Sequence, residues 1–216
     1  MAFVIKYRFC YAKYGEAKYI SHLDLIRMFS RSFKRAGIPL TYSEGFNPHP
    51  KMAIGLPLSV GLTSECEYMD AEVERPLKGE DIDELNKKLP IGLTINGAAE
   101  RIPGMKKLAD IRWAEYKVTL DHKVASEQIE AFMARTDVIV EKKTKRKTED
   151  TDILPDITSL TTDGECLTMV LSAGPAANLK PELVLCAMEQ YIDGFAAGEY
   201  EIHRSKILTD NGKPLL

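Results

Sequence analysis

Apolar and polar positions alternate from Phe3 to Tyr11, a stretch rich in aromatic and β-branched residues, and this pattern predicts a strand. Ser21 then opens a helix. Its hydroxyl can cap free backbone N–H groups, and Asp24 supplies a carboxylate in the first turn. Gly37 and Pro39 end that helix. After a turn-rich loop, Lys51 to Val60 and Glu67 to Glu74 read as two strands joined through the Gly61 region. Glu80 to Leu89 reads as an amphipathic helix stopped by Pro90, and Leu93 to Ile102 as a closing strand. The order β-α-β-β-α-β is the ferredoxin-like pattern.

The second half repeats that order more loosely. Trp113 to Asp121 reads as a strand, Ala125 to Arg135 as a helix, and Val138 to Lys143 as a strand leading into a charged hairpin. Return strands are expected at Asp156 to Thr161 and Cys166 to Leu171. Pro181 opens a helix to Ile192, and Tyr200 to Leu208 closes the set. Residues 103–111, with Pro103, Gly104, Lys106 and Lys107, make the best linker. The expected fold class is α+β: two tandem ferredoxin-like (βαββαβ) domains with antiparallel sheets, at residues 1–103 and 112–216. The repeat is one of element order, not of residue identity.

Composition narrows the picture without changing it. At 216 residues, 44% hydrophobic and 28% charged, the chain fits a folded protein and argues against disorder or a fibrous repeat. A net charge of −3 excludes a wholly basic nucleic-acid protein, so any nucleic-acid surface must be local. No apolar run approaches the roughly 20 residues a membrane helix needs. Lys6 and Arg8 come too early for a signal-peptide core, so the cytoplasm is the expected compartment. Cys10, Cys66, Cys166 and Cys186 are scattered, which argues against a zinc ribbon or a disulfide framework and reads as buried small hydrophobes.

At about 100° per residue, Leu25, Ile26, Phe29 and Phe33 fall on one side of the first helix, while Asp24, Arg27, Arg31, Lys34 and Arg35 share the opposite arc. A solvated face with Asp24 paired to Arg27 or Arg31 would explain this arc. So would an anion-reading ridge, since one carboxylate poorly neutralises four cations and guanidinium forks suit phosphates. The following loop, Ile38 to Lys51, carries Tyr42, Ser43, Glu44, Phe46, Asn47, His49 and Lys51 between Pro39, Pro48 and Pro50. Stiffened polar and aromatic loops are where sites tend to be built. A structural loop, with Phe46 plugging a core, is the alternative.

By angle His22 lies on the apolar side of its helix, which favours a buried, satisfied histidine, whereas His49 is the better acid–base candidate. A metal site would recruit His22, His49, Glu65, Glu67 or Asp70, but no HxxxH or HxH spacing supports one, and neither metal nor cofactor is expected. Glu65 and Glu67 share strand parity with Met69, Ala71 and Val73. Lys142, Lys143, Lys145, Arg146 and Lys147 crowd one hairpin tip, either as a polyanion contact or as a lysine-defended edge.

The stretch Tyr19-Ile20-Ser21-His22-Leu23-Asp24 with Arg27, Arg31 and Arg35, then Ala36-Gly37-Ile38-Pro39, Tyr42 to Lys51, and Leu56 to Gly61 with Glu65, Glu67 and Asp70, resembles the radical-SAM-linked protein family. That is a bacterial domain of unknown function, fused to or encoded beside a radical SAM protein. The later half resembles it through the basic hairpin, Asp152 and Lys180-Pro181-Glu182. The resemblance implies a role as partner or substrate presenter for a separately encoded radical SAM enzyme. A radical SAM enzyme itself needs three closely spaced thiolates, and no two cysteines here lie within ten residues of each other. An architectural similarity to the tandem ferredoxin-like RAMP endoribonucleases is weaker and only an analogy.

Three functions are expected from these features. The first is a non-catalytic RNA- or substrate-binding partner of a radical SAM enzyme, with Arg27, Arg31, Lys34 and Arg35 on phosphates. Tyr42 and Phe46 would stack on a base, Ser43, Glu44, Asn47 and His49 would read polar groups, and Lys145, Arg146 and Lys147 would extend the track. The second is a metal-independent endoribonuclease using His49 or His22, with Tyr42 and Lys51 assisting. The third is a pure protein-interaction module docking the radical SAM partner through a sheet edge.

Overall fold

The computed structural model describes residues 4–143 and 148–216. The chain forms two compact units, one running through Ile111 and taking in Lys213–Leu216, the other covering Arg112–Gly212. Residues 103–111, expected as a linker, cluster with the first unit. There the carbonyl of Lys106 accepts from Arg8 Nη1 at 2.7 Å, and Leu108 packs so closely on Gly55 that a Cβ at that glycine would lie 2.8 Å from Leu108 Cδ2.

In the first unit, β1 (Ile5–Lys13), α1 (His22–Arg35), β2 (Met52–Gly55), β3 (Thr63–Val73), α2 (Asp81–Lys88) and β4 (Leu93–Glu100) follow in chain order. β1 pairs antiparallel with β3 (Phe9 opposite Met69) and with β4 (Tyr7 opposite Glu100), and β2 pairs antiparallel with the other side of β3. The sheet therefore runs β4-β1-β3-β2. β2 is shorter than the Lys51 to Val60 run predicted. Leu56 takes φ +50°, and Pro57 has no N–H to donate, so the ladder ends at Gly55.

Tyr7, Phe9 and Tyr11 point to one face of this sheet, where α1 sends Leu25, Phe29 and Phe33 to meet them. Phe33 contacts Phe9 edge-on at 5.2 Å between ring centroids, and Phe29 contacts Tyr11 at 5.0 Å. Both phenylalanines are fully buried, each contributing about 1.5–3 kcal/mol. These contacts fix the rotation of α1 about its axis, and with it the direction of the opposite, charged arc.

The second unit contains β5 (Ile111–Leu120), α3 (Ser126–Met133), β6 (Ile139–Lys143), β7 (Thr148–Asp152), β8 (Ile157–Thr162), β9 (Cys166–Ser172), α4 (Pro181–Tyr191) and β10 (Tyr200–Thr209). Its sheet runs β10-β5-β9-β8, while β6 and β7 form a separate antiparallel hairpin with Lys142 opposite Glu149. Asp152 anchors the base of that hairpin, its Oδ1 accepting from the N–H groups of Val138 at 2.9 Å and Leu154 at 3.1 Å. The fold is mixed α+β, with mostly antiparallel strands and four α-helices among the described residues. No helix among them is long and apolar enough to cross a membrane.

Candidate functional site: a cationic groove along the first helix

Local signals set both ends of α1. Ser21 is the N-cap, its Oγ accepting from Asp24 N–H at 3.3 Å and donating to Asp24 Oδ2 at 2.7 Å. At the other end Gly37 takes φ +71°. Ile38 N–H donates to Phe33 O at 3.0 Å and Gly37 N–H to Lys34 O at 3.2 Å. This is a Schellman closure, with Ile38 and Phe33 both fully buried beneath it.

Held in this way, α1 presents Arg27, Arg31, Lys34 and Arg35 along one groove of about 720 Å³, which Ile20, Asp24 and Met28 also line. Among the described residues Asp24 is the single carboxylate lining it, paired with Arg27 at 3.0 Å. The Ser21 hydroxyl and then Arg27 hold its carboxyl below the usual carboxylate range, so it stays charged at neutral pH. Arg35 is divided between the groove and α2, donating from Nη2 to Lys88 O at 2.8 Å. The side chains of Arg31 and Lys34 make no hydrogen bond or ion pair among the described residues, and both residues are exposed.

A second groove of about 490 Å³ adjoins the first, and Lys34 lines both. Its other walls are Ser30, Gly37, Ile38, Pro39, Leu40 and Tyr42. Tyr42 is held against the helix by a 3.1 Å hydrogen bond between its hydroxyl and Ser30 Oγ. The chain then rises into a finger closed at its base by the Tyr42–Pro50 bridge. Ser43 N–H donates to His49 O at 2.8 Å, and His49 N–H donates to Ser43 Oγ at 3.0 Å. Lys51 N–H donates to Thr41 O and Thr41 N–H to Glu72 O, which staples the finger to the end of β3. Glu44, Phe46, Asn47, Pro48 and His49 are exposed, and Phe46 is completely so. Phe46 therefore does not plug a core.

Other sequence candidates lie apart from these grooves. Lys51 reaches Glu72 at 3.6 Å. His22 is exposed, against the expectation of a buried histidine. It is the first residue of α1, and a side chain there leans back toward the helix N-terminus and not over a preceding helical turn. Neither His22 nor His49 lines either groove. Glu67 is fully buried while Glu65 is exposed, because the pairing of β1 and β3 shifts register between Tyr11 and Lys13 and breaks the parity the two residues share in sequence. Lys145, Arg146 and Lys147 lie outside the described residues. Cys10, Cys66 and Cys166 are half-buried, but Cys186 is exposed, which corrects its reading as a buried hydrophobe.

Sequence reasoning missed the charges that hold the first unit together. Arg8, fully buried, forks onto Asp70 at 2.7 and 2.9 Å and also donates to the carbonyls of Lys106 and Leu215. Arg101 reaches the same carboxylate at 2.8 Å. Asp70, a residue a metal site would recruit, is thus held by two arginines, and no metal-binding cluster occurs among the described residues. Arg75 forks onto Asp81 at 2.6 and 2.8 Å, holding its carboxyl below the usual range. Parity in β1 predicts that Arg8 faces away from Phe9, but nothing nearby in sequence predicts that chain will cover it there.

These features define a mixed α+β protein with a groove on its first helix lined by Arg27, Arg31, Lys34 and Arg35. The chain belongs to the family described as an uncharacterized protein conserved in bacteria (DUF2344), whose model matches residues 6–181. No curated protein matches the chain. Among solved structures, the crystal structure of an unknown protein from Galdieria sulphuraria is similar. It is 16% identical with a TM-score of 0.28, covering 94% of this chain and 99% of that one.

Proposed function

We propose that this protein binds single-stranded RNA along α1 and presents it to a separate radical SAM enzyme without itself catalysing a reaction. Successive phosphates would lie on Arg27, Arg31 and Lys34, and an unpaired base would rest against Tyr42 in the adjoining groove. The observation that carries this proposal is that Lys34 borders both the cationic groove and the groove walled by Tyr42 and Pro39. A nucleotide has the same pairing of an anion with a flat, weakly polar group a short reach away. Four cations against one carboxylate favour a polyanion, and base–aromatic stacking adds about 1–3 kcal/mol per base without requiring a particular sequence.

The partner enzyme comes from the resemblance of residues 19–70 to the radical-SAM-linked family. The strand orders β4-β1-β3-β2 and β10-β5-β9-β8 support reading each unit as ferredoxin-like, the second with the β6–β7 hairpin inserted. RNA presentation is preferred to the RAMP-like nuclease because both candidate histidines lie outside the grooves.

Fluorescence anisotropy with a labelled 12-nucleotide oligouridine tests the binding. Wild type should bind, the folded double variant Arg27→Ala/Arg31→Ala should lose affinity by about ten- to fiftyfold, and the oligonucleotide should remain intact in EDTA. Unchanged binding by the double variant would remove the phosphate ridge, and metal-independent cleavage abolished by His49→Ala would replace presentation by catalysis.

A further inference from the structure

Cys10 and Cys66 are far apart in sequence, and the pairing of β1 with β3 brings them together. Cys10 stands opposite Tyr68 in that ladder, so Cys66, two residues along β3, is its diagonal neighbour across the pair. Both are half-buried thiols. Cys66 Sγ donates to the Tyr68 hydroxyl at 3.2 Å, and the Cys10 and Cys66 thiols are hydrogen-bonded to each other. When Cys66 loses its proton, the Cys10 thiol and the Tyr68 hydroxyl can each turn a proton toward its sulfur. Both neighbours hold those protons firmly. The hydrogen bond to Cys66 and then burial push the Cys10 thiol well above its ordinary range, and burial followed by Cys66 does the same for Tyr68. Negative charge in this cluster is therefore favoured on Cys66 over Cys10.

We propose that a peroxide oxidant joins Cys10 and Cys66 in a reversible cross-strand disulfide that strengthens the first unit, with Cys66 attacking and Cys10 resolving. The Cys66 thiolate attacks one oxygen of hydrogen peroxide and the O–O bond breaks. The departing hydroxide takes up a proton, leaving water and a sulfenic acid on Cys66. The Cys10 sulfur, giving up its proton, then displaces hydroxide from that sulfenic acid. The S–S bond forms, the S–O bond breaks, and a second water leaves. Two thiols lose two electrons and two protons, and one peroxide becomes two waters. The β1–β3 register shifts between Tyr11 and Lys13, beside Cys66, so the ladder is already interrupted where the sulfurs must close up. The bond would enclose residues 11–65, which hold α1, the finger and β2. Closing so long a loop removes freedom from the unfolded chain. Neither thiol lines a groove of α1, so this chemistry does not depend on what those grooves bind.

The test uses the full chain carrying Cys186→Ser, which removes the exposed thiol. The protein is treated with hydrogen peroxide, remaining thiols are blocked with N-ethylmaleimide, and unreduced tryptic peptides are read by mass spectrometry. The peptides of Cys10 and Cys66 should become linked with the loss of two hydrogens, and dithiothreitol should separate them. Cys10→Ser in this background should stop at the sulfenic acid on Cys66, which dimedone traps, whereas Cys66→Ser should leave Cys10 unlabelled. The linked protein should unfold at about 1 M more urea than the reduced one. Failure of the two peptides to link, linkage of either to Cys166 instead, dimedone labelling of Cys10 in Cys66→Ser, or an unchanged urea midpoint would each overturn the proposal. If a serine variant at position 10 or 66 fails to fold, linkage and the urea midpoint of the parent protein decide the matter.

Discussion

Arg8 and Arg101 on one side of the first unit, and Arg31 and Lys34 on the outer face of α1, carry the same charge in opposite surroundings. Arg8 is fully buried, and its guanidinium is matched by Asp70 and two backbone carbonyls, with Arg101 completing the cluster. Burying a cation is costly unless partners replace water, so this cluster answers a structural need. Arg31 and Lys34 answer none: they are exposed, and their side chains form no hydrogen bond or ion pair among the described residues. Four like charges on one groove repel one another, at a small cost that folding does not require. The internal cations hold the fold together, while the outer ones are available for a ligand.

The contrast can be broken at the buried end first. Asp70→Ala should cost about 3–5 kcal/mol in denaturant unfolding, because it leaves two arginines uncompensated. Arg31→Ala should change stability by less than about 0.5 kcal/mol. Asp81→Asn should cost about 1.5–3 kcal/mol by weakening the Arg75 fork. Arg75 depresses the folded-state pKa of Asp81, so the associated stability is complete above the unfolded carboxylate value of about 4 and is lost as pH falls through the lower folded value. The urea midpoint of wild type should therefore fall more steeply below about pH 4 than that of Asp81→Asn. Gly37→Ala should cost about 1–2 kcal/mol through its left-handed φ alone, since a Cβ there would touch nothing. The smallest effect sharpens the contrast from the ligand side. Asp24→Asn removes the carboxylate that lines the groove and should raise oligouridine affinity about two- to fivefold at low salt.

Features encoded by neighbouring residues were readable in advance. Ser21, Gly37 and Pro39 mark where α1 starts and stops, and the angular spacing of Phe29 and Phe33 separates its core side from Arg27, Arg31, Lys34 and Arg35. Features created by distant chain were not. Arg8 finds Asp70 62 residues away and Lys106 98 residues away, so no local pattern reports that it is buried. The bulge between Tyr11 and Lys13 breaks the parity shared by Glu65 and Glu67, and Leu56 cuts short a strand whose composition runs on to Val60. Lys34 bordering two grooves depends on how the chain turns after Gly37, which the glycine permits but does not dictate.

Salt dependence is the most direct measure of whether the outer cations read phosphates. Oligouridine affinity followed from about 50 to 300 mM NaCl should fall linearly on a logarithmic plot, with a slope of about −0.7 for each phosphate engaged. Removing Arg27 and Arg31 together should flatten that slope by about 1.4 while the protein stays folded. Parallel lines for wild type and the double variant would mean that RNA, if bound, is held elsewhere and that the helix groove is only a solvated surface.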